Sequence, residues 1–141
     1  MEDKKYPEPT VGALILNPEG NILLVKAPKH GERYIIPGGH IEIGETIEEA
    51  VKREVKEETD LEVSDLEFIG LQECIFSPEY YKKKHFVFID YACRAREADN
   101  VVLNNEGTAY GWFSFADALE LPLGTTTREL IRRYMKLKNL S

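Results

Sequence analysis

The sequence is short of cysteine, and its two cysteines support neither a disulfide framework nor a zinc site. Cys74 and Cys93 lie in separate apolar runs, without the short spacing that metal-binding cysteines show. We therefore interpret both as buried thiols in a reducing compartment. The sequence also lacks an apolar run long enough to cross a bilayer, and its first ten residues lack the apolar core of a signal peptide. Together these shortages predict a cytoplasmic protein that does not enter a membrane.

Positive charge is scarce as well. The formal net charge is −7 and the isoelectric point is about 5.1, whereas a protein that binds extended nucleic acid needs a broad basic face. A small anionic substrate remains compatible with this charge, provided that a cation neutralises it. The chain of 141 residues is long enough for one domain with a hydrophobic core.

Apolar runs alternate with turn-forming residues along most of the chain. Runs rich in β-branched and aromatic residues are typical of strands. The predicted strands cover residues 11–17, 22–26, 34–39, 66–76, 85–95 and 109–115, with a further short strand at 101–103. Because some neighbouring runs form hairpins while helices separate others, we expect a mixed sheet with helices on both faces, in an α/β fold.

Three segments are predicted to be helical, and each begins with a hydroxyl residue. Thr46 and Glu49 form the reciprocal pair of a capping box at the start of a helix over 46–59. A short helix is predicted to begin at Ser114, and a last helix is predicted to be capped by Thr126 with Glu129. The last helix carries an apolar stripe at helical spacing, which we interpret as core: Leu130, Ile131, Tyr134 and Met135.

The helix over 46–59 carries two kinds of acidic residue. At about 100° per residue, Glu54, Glu57 and Glu58 share an arc of roughly 100° on the helical wheel. That arc adjoins the apolar stripe, which consists of Ile47, Val51 and Val55. The opposite side mixes both signs of charge, as a solvated face does: Glu48, Glu49, Lys52 and Lys56.

Three like charges beside a buried stripe repel one another. Arg53 can pair with Glu57 at i,i+4, but one cation does not balance three anions. The simplest missing partner is a hard divalent ion such as Mg²⁺, which prefers carboxylate oxygens and bridges to phosphates. Gly38 and Gly39 precede the helix, so a backbone carbonyl could join the glutamates as a metal ligand. The alternative is a charged amphipathic helix that follows a glycine turn and binds nothing.

The same segment resembles the Nudix box, which reads G, five residues, E, seven residues, then R-E-U-x-E-E-x-G-U, with U aliphatic. The matching residues of this sequence are Gly39, Glu45, Arg53, Glu54, Val55, Glu57, Glu58 and Leu61. One position departs, because Asp60 stands where the box has its last glycine. Asp60 follows the helix, where a left-handed residue often ends it, and Asp tolerates that conformation. The resemblance is expected to extend over a domain at residues 9–138, preceded by a short tail at 1–8.

The resemblance implies an α/β/α sandwich with a mixed sheet, in which the box forms a loop–helix–loop. It also implies Mg²⁺- or Mn²⁺-dependent hydrolysis of a diphosphate bond in a nucleoside diphosphate linked to another group, such as a nucleotide sugar, ADP-ribose or a nucleoside triphosphate. By the same resemblance, Glu57 and Glu58 are the main metal ligands, helped by Glu54 and the carbonyl of Gly38. Arg53 would orient the glutamates, and Glu45 would brace the loop.

The resemblance leaves the general base open. Glu54 or Glu57 could accept the proton of the attacking water, and so could Glu106 in the loop before the last predicted strand. Some family members place at this point an acid that ligates metal or accepts the proton. A solvated loop acid is the alternative interpretation of Glu106.

Residues near the box suggest where the rest of a small nucleotide substrate binds. We predict substrate contacts from Arg33, Tyr34, Gly39 and Tyr81, with His30 and Tyr80 close by. Arginines 128, 132 and 133 on the last helix are further candidates. For all of these residues the alternative, which we favour, is a solvated loop or helix face without a ligand. Many Nudix proteins dimerise, so a homodimer is one expectation, but no stretch of this sequence demands it.

Two other hypotheses stand beside the hydrolase. One is a non-catalytic Nudix domain that binds a nucleotide, although such domains usually lose acids from the box and this sequence keeps Glu54, Glu57 and Glu58. The other is an α/β domain whose acidic helix is only a surface. That hypothesis does not explain why the acids adjoin the apolar stripe at the spacing of the box.

Overall fold

The computed structural model of the chain describes residues 5–140. Within that range it contains seven strands, three α-helices and one short 3₁₀ helix at Pro28–His30. The strands are β1 (Glu8–Leu16), β2 (Ile22–Ala27), β3 (Arg33–Ile35), β4 (Gly38–His40), β5 (Val63–Ile75), β6 (His85–Ala95) and β7 (Ala109–Phe113). The helices are α1 (Ile47–Thr59), α2 (Phe115–Leu119) and α3 (Thr125–Leu137). The predicted long strands and all three predicted helices are therefore present.

The sheet is mixed, as predicted. Its main strand order is β3-β2-β1-β6-β5, and β7 pairs with β2. β1 and β6 run parallel, whereas the other strand pairs are antiparallel. One edge of β1 is shared: β2 pairs with it at Leu16, while β4 pairs with it from Thr10 to Gly12. The sheet therefore divides between β2 and β4, and this division positions the site described below.

Alternate residues of β1 and β6 feed two separate cores, because side chains alternate across a strand. One face packs against α1 and includes Val11, Ala13, Ile15, Val51, Val55 and Cys93. The other face packs against α2 and α3 and includes Leu14, Leu16, Leu24, Leu130, Ile131 and Tyr134. Helices thus cover both faces, which confirms the α/β sandwich. The predicted core stripe of the last helix is also confirmed, with Met135 partly buried beside it.

Three local predictions are wrong. Residues 101–103 do not form a strand; Val101 and Leu103 instead pack onto the α1-side core, and the Val102 N–H donates to the Thr59 carbonyl at 2.9 Å. Apolar residues here satisfy packing without strand pairing.

The predicted cap of the last helix is the second error, since α3 begins after Gly124 and Thr126 lies inside the helix. Glu79, from a distant loop, accepts a hydrogen bond from the Thr125 N–H at 3.0 Å and so occupies the helix start. The third error concerns Ile47, which is 38% exposed instead of core-facing, because it lies in the first turn of α1.

The predicted tail at 1–8 falls partly on residues 1–4, which lie outside the described residues. Glu8 already belongs to β1, where it pairs with Phe86 of β6. None of the helices in the described part of the chain is long and apolar enough to span a membrane.

Candidate active site

The ends of α1 fix the spacing of the acidic residues. The Glu49 N–H donates to the Thr46 hydroxyl at 3.1 Å, and the Thr46 N–H donates to the Glu49 carboxylate at 2.8 Å. The predicted capping box is therefore complete. The helix ends at Asp60, which has a φ of 63° and donates its N–H to the Lys56 carbonyl at 2.9 Å. Asp60 thus occupies the left-handed position that the missing glycine of the box would take.

Arg53 is the organising cation of the segment. Its Nε lies 2.6 Å from one carboxylate oxygen of Glu45, and its Nη2 lies 2.9 Å from the other, so the pair is bidentate. Nη2 also donates to the His40 carbonyl at 2.8 Å. The remaining nitrogen, Nη1, donates to Glu54 at 2.9 Å and to Glu57 at 3.2 Å. One guanidinium therefore connects the loop before α1 to two carboxylates on the helix.

Glu45 is the best compensated of these acids. Its side chain is 14% exposed and is held by Arg53. The hydrogen bonds from Arg53, followed by the one between Glu45 and the Glu42 N–H at 3.0 Å, lower the pKa of Glu45 to about 2. Glu45 is therefore a permanently charged brace for the loop, in the place where the resemblance to the box implies a supporting residue.

Glu58 lies in the opposite situation. The only hydrogen bond that its carboxylate receives from the described residues comes from the Gly38 N–H, at 3.0 Å. Burial, followed by the charges of Glu106 and Glu54, raises the pKa of Glu58 to about 10. Burial also raises the pKa of Glu54, whose side chain is 12% exposed, against the opposing effect of Arg53. Two neighbouring carboxyls are therefore partly buried with less positive charge nearby than two carboxylates require.

The glycines before α1 make this arrangement possible. A Cβ on Gly39 would collide with the Glu54 carboxylate, and one on Gly38 would collide with the Val11 carbonyl. Both glycines lie in β4, which pairs with β1. Their role is therefore to let β4 approach both the sheet and the helix closely, because any side chain would separate them.

The donor set fits a hard divalent cation. Glu54 and Glu58 offer carboxylate oxygens with few competing donors, and Glu106 lies near enough for its charge to raise the pKa of Glu58. Glu57 is more open, with a side chain that is 55% exposed and directed to Arg53. Within residues 5–140 no three acidic, histidine or cysteine side chains already converge as a finished metal centre. The residues that could hold the cation are therefore Glu58 and Glu54, with Glu57 and Glu106 at the periphery.

A cavity of about 150 Å³ opens beside these carboxylates. It lies where the sheet divides between β2 and β4, so side chains from both faces of the sheet reach it. Gly38, Gly39, Glu58 and Glu106 line its acidic end. The rest of the wall is mainly apolar and aromatic, with a few polar groups: Ile36, Tyr80, Phe86, Phe88, Asp90 and Thr127. This combination is typical of a small-molecule site.

A family model for the NUDIX domain matches residues 6–134. The chain belongs to the Nudix family. Enzymes of this family act on nucleoside diphosphate derivatives and generally use divalent metal cations. The NAD-capped RNA hydrolase NudC of Vibrio atlanticus is 33% identical over 115 residues, which cover 80% of this chain and 40% of that protein. The chain spans less than half the length of the curated relatives it matches.

Solved structures agree with the fold. A MutT NUDIX hydrolase from Burkholderia pseudomallei superposes with a TM-score of 0.77 at 26% identity, over 92% of this chain and 98% of that one. The NUDIX domain of Shewanella oneidensis NrtR, solved in complex with ADP ribose, gives a TM-score of 0.78 at 20% identity, over 94% and 89% of the two chains. The α/β architecture derived from the sequence is thus the Nudix architecture.

The structure brings some predicted substrate residues to the cavity and leaves others outside it. Gly39 and His30 line the wall. Tyr80 lines it as well, whereas the neighbouring Tyr81 is 55% exposed. In the described part of the chain, the wall does not include Arg33, Tyr34 or Tyr81.

Other contacts hold these remaining side chains. Tyr34 packs edge-on against Phe113, at 5.9 Å between ring centroids, in the core beneath α2 and α3. Arg33 donates to the His30 carbonyl at 3.3 Å and so shapes the loop behind the cavity.

Two of the α3 arginines have structural partners away from the cavity. Arg128 donates to the carbonyls of Leu119 and Leu121 at 3.0 and 3.1 Å, which ties the end of α2 to α3. Arg133 donates to the Leu71 carbonyl of β5 at 2.7 Å. These contacts favour the structural interpretation of that helix face.

Sequence reasoning missed the far wall of the cavity, which includes Phe86, Phe88 and Asp90 from β6. A signal was present: Asp90 is the only acid in the apolar run HFVFIDYACRA. A carboxylate in a buried strand is rare unless it has a partner or a role. Alternation along the strand also places all three residues on one face.

Proposed function

We propose that this chain is a Mg²⁺- or Mn²⁺-dependent hydrolase that cleaves a diphosphate bond in a nucleoside diphosphate linked to another group. One observation carries the proposal: Glu58 is a largely covered, undercompensated carboxylate that lines a cavity of about 150 Å³, and the partly buried Glu54 lies against it. A surface helix has no reason to bury such a pair, whereas a site for a cation and a diphosphate does.

The residues of the Nudix box divide the work in this proposal. Glu54, Glu57 and Glu58 would hold the cation, and the Gly38 carbonyl stays a further predicted ligand. Arg53 positions Glu54 and Glu57 through its Nη1 atom, and Glu45 fixes Arg53 by two hydrogen bonds. When bound, a divalent cation would neutralise diphosphate oxygens and lower the pKa of water. The chain itself is left to orient the substrate and to accept one proton.

Three acids are candidates for the general base. Glu54 is partly buried and accepts a hydrogen bond from Arg53 at 2.9 Å. Glu57 is exposed and held by Arg53, whereas Glu106 lies on the cavity wall. Gln at position 106 would keep the shape of the side chain but could not accept the proton. A fall of roughly 100-fold in kcat for Glu106→Gln, with metal affinity unchanged, would assign the base to Glu106.

The comparisons suggest which substrates to test first. Relatives are named as hydrolases of NAD-capped RNA, and a structural neighbour was solved with ADP ribose. We therefore propose NAD, ADP-ribose, nucleotide sugars and nucleoside triphosphates as the panel. A cytoplasmic location is part of the proposal, supported by the two free thiols, Cys74 and Cys93. A homodimer is also part of the proposal, to be checked by light scattering during purification.

The deciding experiment compares Glu58→Gln with Glu48→Gln. Both changes neutralise one glutamate of α1, but Glu48 lies on the solvated face. The panel is incubated with Mg²⁺ or with chelator, and products are identified by mass spectrometry. We expect Mg²⁺-dependent release of a nucleoside monophosphate by the wild type and Glu48→Gln, and its loss in Glu58→Gln.

The opposite result is equally informative. A folded wild-type protein that cleaves no compound, yet melts at a higher temperature with one of them, would contradict the hydrolase and favour a nucleotide-binding Nudix domain.

A further inference from the structure

Asp90 is a buried carboxylate that the proposed hydrolysis does not use. It lies on β6, is 2% exposed, and lines the cavity at the end away from α1. The parallel register pairs Gly12 with Asp90, and the antiparallel register pairs Gly12 with Gly38. Asp90 is thus two strand spacings from Gly38, about 10 Å across the sheet. A nucleoside whose diphosphate lies near Gly38 and Glu58 would place its base at that distance.

Among residues 5–140, only one oxygen of Asp90 has a hydrogen-bond partner. Oδ2 accepts a hydrogen bond from the Gln72 side-chain amide at 2.7 Å. Oδ1 accepts none from the described residues, yet no buried side-chain oxygen among them is sealed away without a partner. Oδ1 therefore retains access to the cavity, where it presents an acceptor with no protein donor. An acceptor held in this way is complementary to a ligand N–H.

Gln72 determines which oxygen of the Asp90 carboxylate is left without a donor from the described residues. Its amide nitrogen donates to Asp90 and also to the Thr126 carbonyl at 2.9 Å, so both of its protons are used. The amide therefore cannot reverse without losing both hydrogen bonds, one of which is fully buried. Any group that replaces the Asp90 carboxylate must present an acceptor to Gln72, and its second polar atom must then face the cavity.

Gly12 makes room for two side chains of the cavity wall, Ile36 and Asp90. A Cβ at Gly12 would lie 2.8 Å from the Ile36 Cδ1 and 3.0 Å from the Asp90 Oδ1. Phe86 and Phe88, on the same face of β6 as Asp90, complete an aromatic wall with ring centroids 5.4 Å apart. A flat heterocycle fits between such walls, with its polar edge directed at the carboxylate.

We propose that Asp90 recognises the nucleobase, and that its free oxygen accepts a hydrogen bond from an exocyclic amino group. The site would then prefer adenine and cytosine over hypoxanthine and uracil, which present a carbonyl oxygen at the corresponding position. The inference rests on the proposed function for its substrate class. The inference differs from the proposed function in the residue concerned and in the part of the substrate that is bound.

The preference has a simple electrostatic origin. A carbonyl oxygen placed against Asp90 meets a negative acceptor without a proton between them, whereas an amino group donates to it. A hydrogen bond to a charged partner contributes enough to predict a preference of roughly 10- to 100-fold. Burial raises the pKa of Asp90 to about 6, against the effect of the Gln72 hydrogen bond and the Arg133 charge, so assays at pH 8 keep it ionised.

The test uses nucleotide pairs that differ only in this group. For the wild type, kcat/KM is measured with ATP and ITP and with CTP and UTP, in Mg²⁺ at pH 8. Binding of AMP and IMP is measured separately by the shift in melting temperature, which requires neither metal nor turnover. We expect kcat/KM to be roughly 10-fold or more higher for the amino-bearing member of each pair, and AMP to raise the melting temperature more than IMP at equal concentration. Equal values within each pair would overturn the inference.

Asp90→Asn sharpens the test, because the Asn carbonyl must face Gln72 and its NH₂ must face the cavity. We expect the preference to invert towards ITP, UTP and IMP. The matched control is Asp65→Asn, at an exposed position on the outer strand β5, and it should keep the wild-type ratio. A variant that retains the wild-type preference would show that Asp90 only ties Gln72 to the sheet, and would contradict the inference.

Two further outcomes are distinguishable. If no nucleotide is hydrolysed but AMP and IMP binding shows the inversion, the base recognition stands and the hydrolase proposal falls. If Asp90→Asn does not melt cooperatively, Asp90→Ser replaces it. A serine hydroxyl both donates and accepts, so it is expected to bring the ratio for each pair close to one; an unchanged ratio would contradict the inference.

Discussion

Glu45 and Glu58 belong to the same Nudix box and meet opposite electrostatic surroundings. Arg53 grips Glu45 with two hydrogen bonds, and the pKa of Glu45 falls to about 2. Glu58 receives one backbone N–H in the described structure, and burial raises its pKa to about 10. The chain thus completes the environment of the residue that braces the loop, and leaves incomplete the environment of the residue that would hold a cation. The two glutamates differ in how far neighbouring groups balance their negative charge, and this difference separates the bracing role from the cation-binding role.

Replacing Glu58 should have the largest effect on this comparison. Glu58→Gln is expected to lower kcat/KM by at least roughly 100-fold, since even outer-shell partners of a metal reach that magnitude. The same change should raise the melting temperature measured with chelator, because Glu58, with its pKa raised to about 10, must take up a proton on folding, whereas Gln is already neutral. Steady-state kinetics and thermal melting check both results. A variant that loses stability in chelator would show that the carboxylate was already compensated.

Replacing Arg53 tests the environment of Glu45, the carboxylate whose charge is balanced. Arg53→Lys keeps the charge but cannot form the bidentate pair with Glu45. We expect kcat/KM to fall roughly 10- to 100-fold, as for other residues that orient metal ligands. The control is Arg96→Lys, at an exposed position. Equal kinetics for Arg53→Lys and its control would contradict the positioning role.

Asp90 is a third carboxylate for this comparison, and its effect on the free energy of unfolding is expected to depend on pH. The pKa of Asp90 is raised in the folded protein to about 6 from 3.8, so the folded state holds its proton more tightly than the unfolded chain. Its contribution to stability is therefore lost as the pH rises from about 4 to about 6, by about 3 kcal/mol. Urea unfolding of the wild type and Asp90→Asn should show a difference in free energy that grows over this range. A difference that does not vary with pH would contradict the raised pKa.

Asp60 should give the smallest effect. Asp60→Gly relieves a left-handed residue at a φ of 63° but removes an exposed ion pair with Lys56 at 3.1 Å. We expect the free energy of unfolding to rise by less than about 1 kcal/mol, with turnover unchanged. Urea denaturation and the standard assay measure both quantities. A large loss of activity with unchanged metal binding would show that this position has a catalytic role.

Local patterns in the sequence were enough for the helix and its acids. The capping box of Thr46 and Glu49, the pairing of Arg53 with Glu57, and the left-handed Asp60 all involve residues within four positions of one another. Such contacts follow from helical geometry alone.

Contacts between residues far apart in the sequence explain why predictions from local patterns failed elsewhere. Thr126 and Glu129 have the spacing of a cap, but Glu79 binds the start of α3 instead. Asp90 reaches the cavity only because β6 pairs with β1 in parallel, and no local pattern encodes that pairing.

The parallel pairing of Gly12 with Asp90 also sets an order of assembly. The box can form its helix and its Arg53 contacts from one continuous segment, whereas the cavity wall requires residue 12 to meet residue 90. Contacts between distant parts of a chain form slowly, because the loop between them must close first. During folding, the acidic helix can therefore exist before there is a pocket beside it. The cavity wall is therefore expected to form late, when the two central strands β1 and β6 have paired.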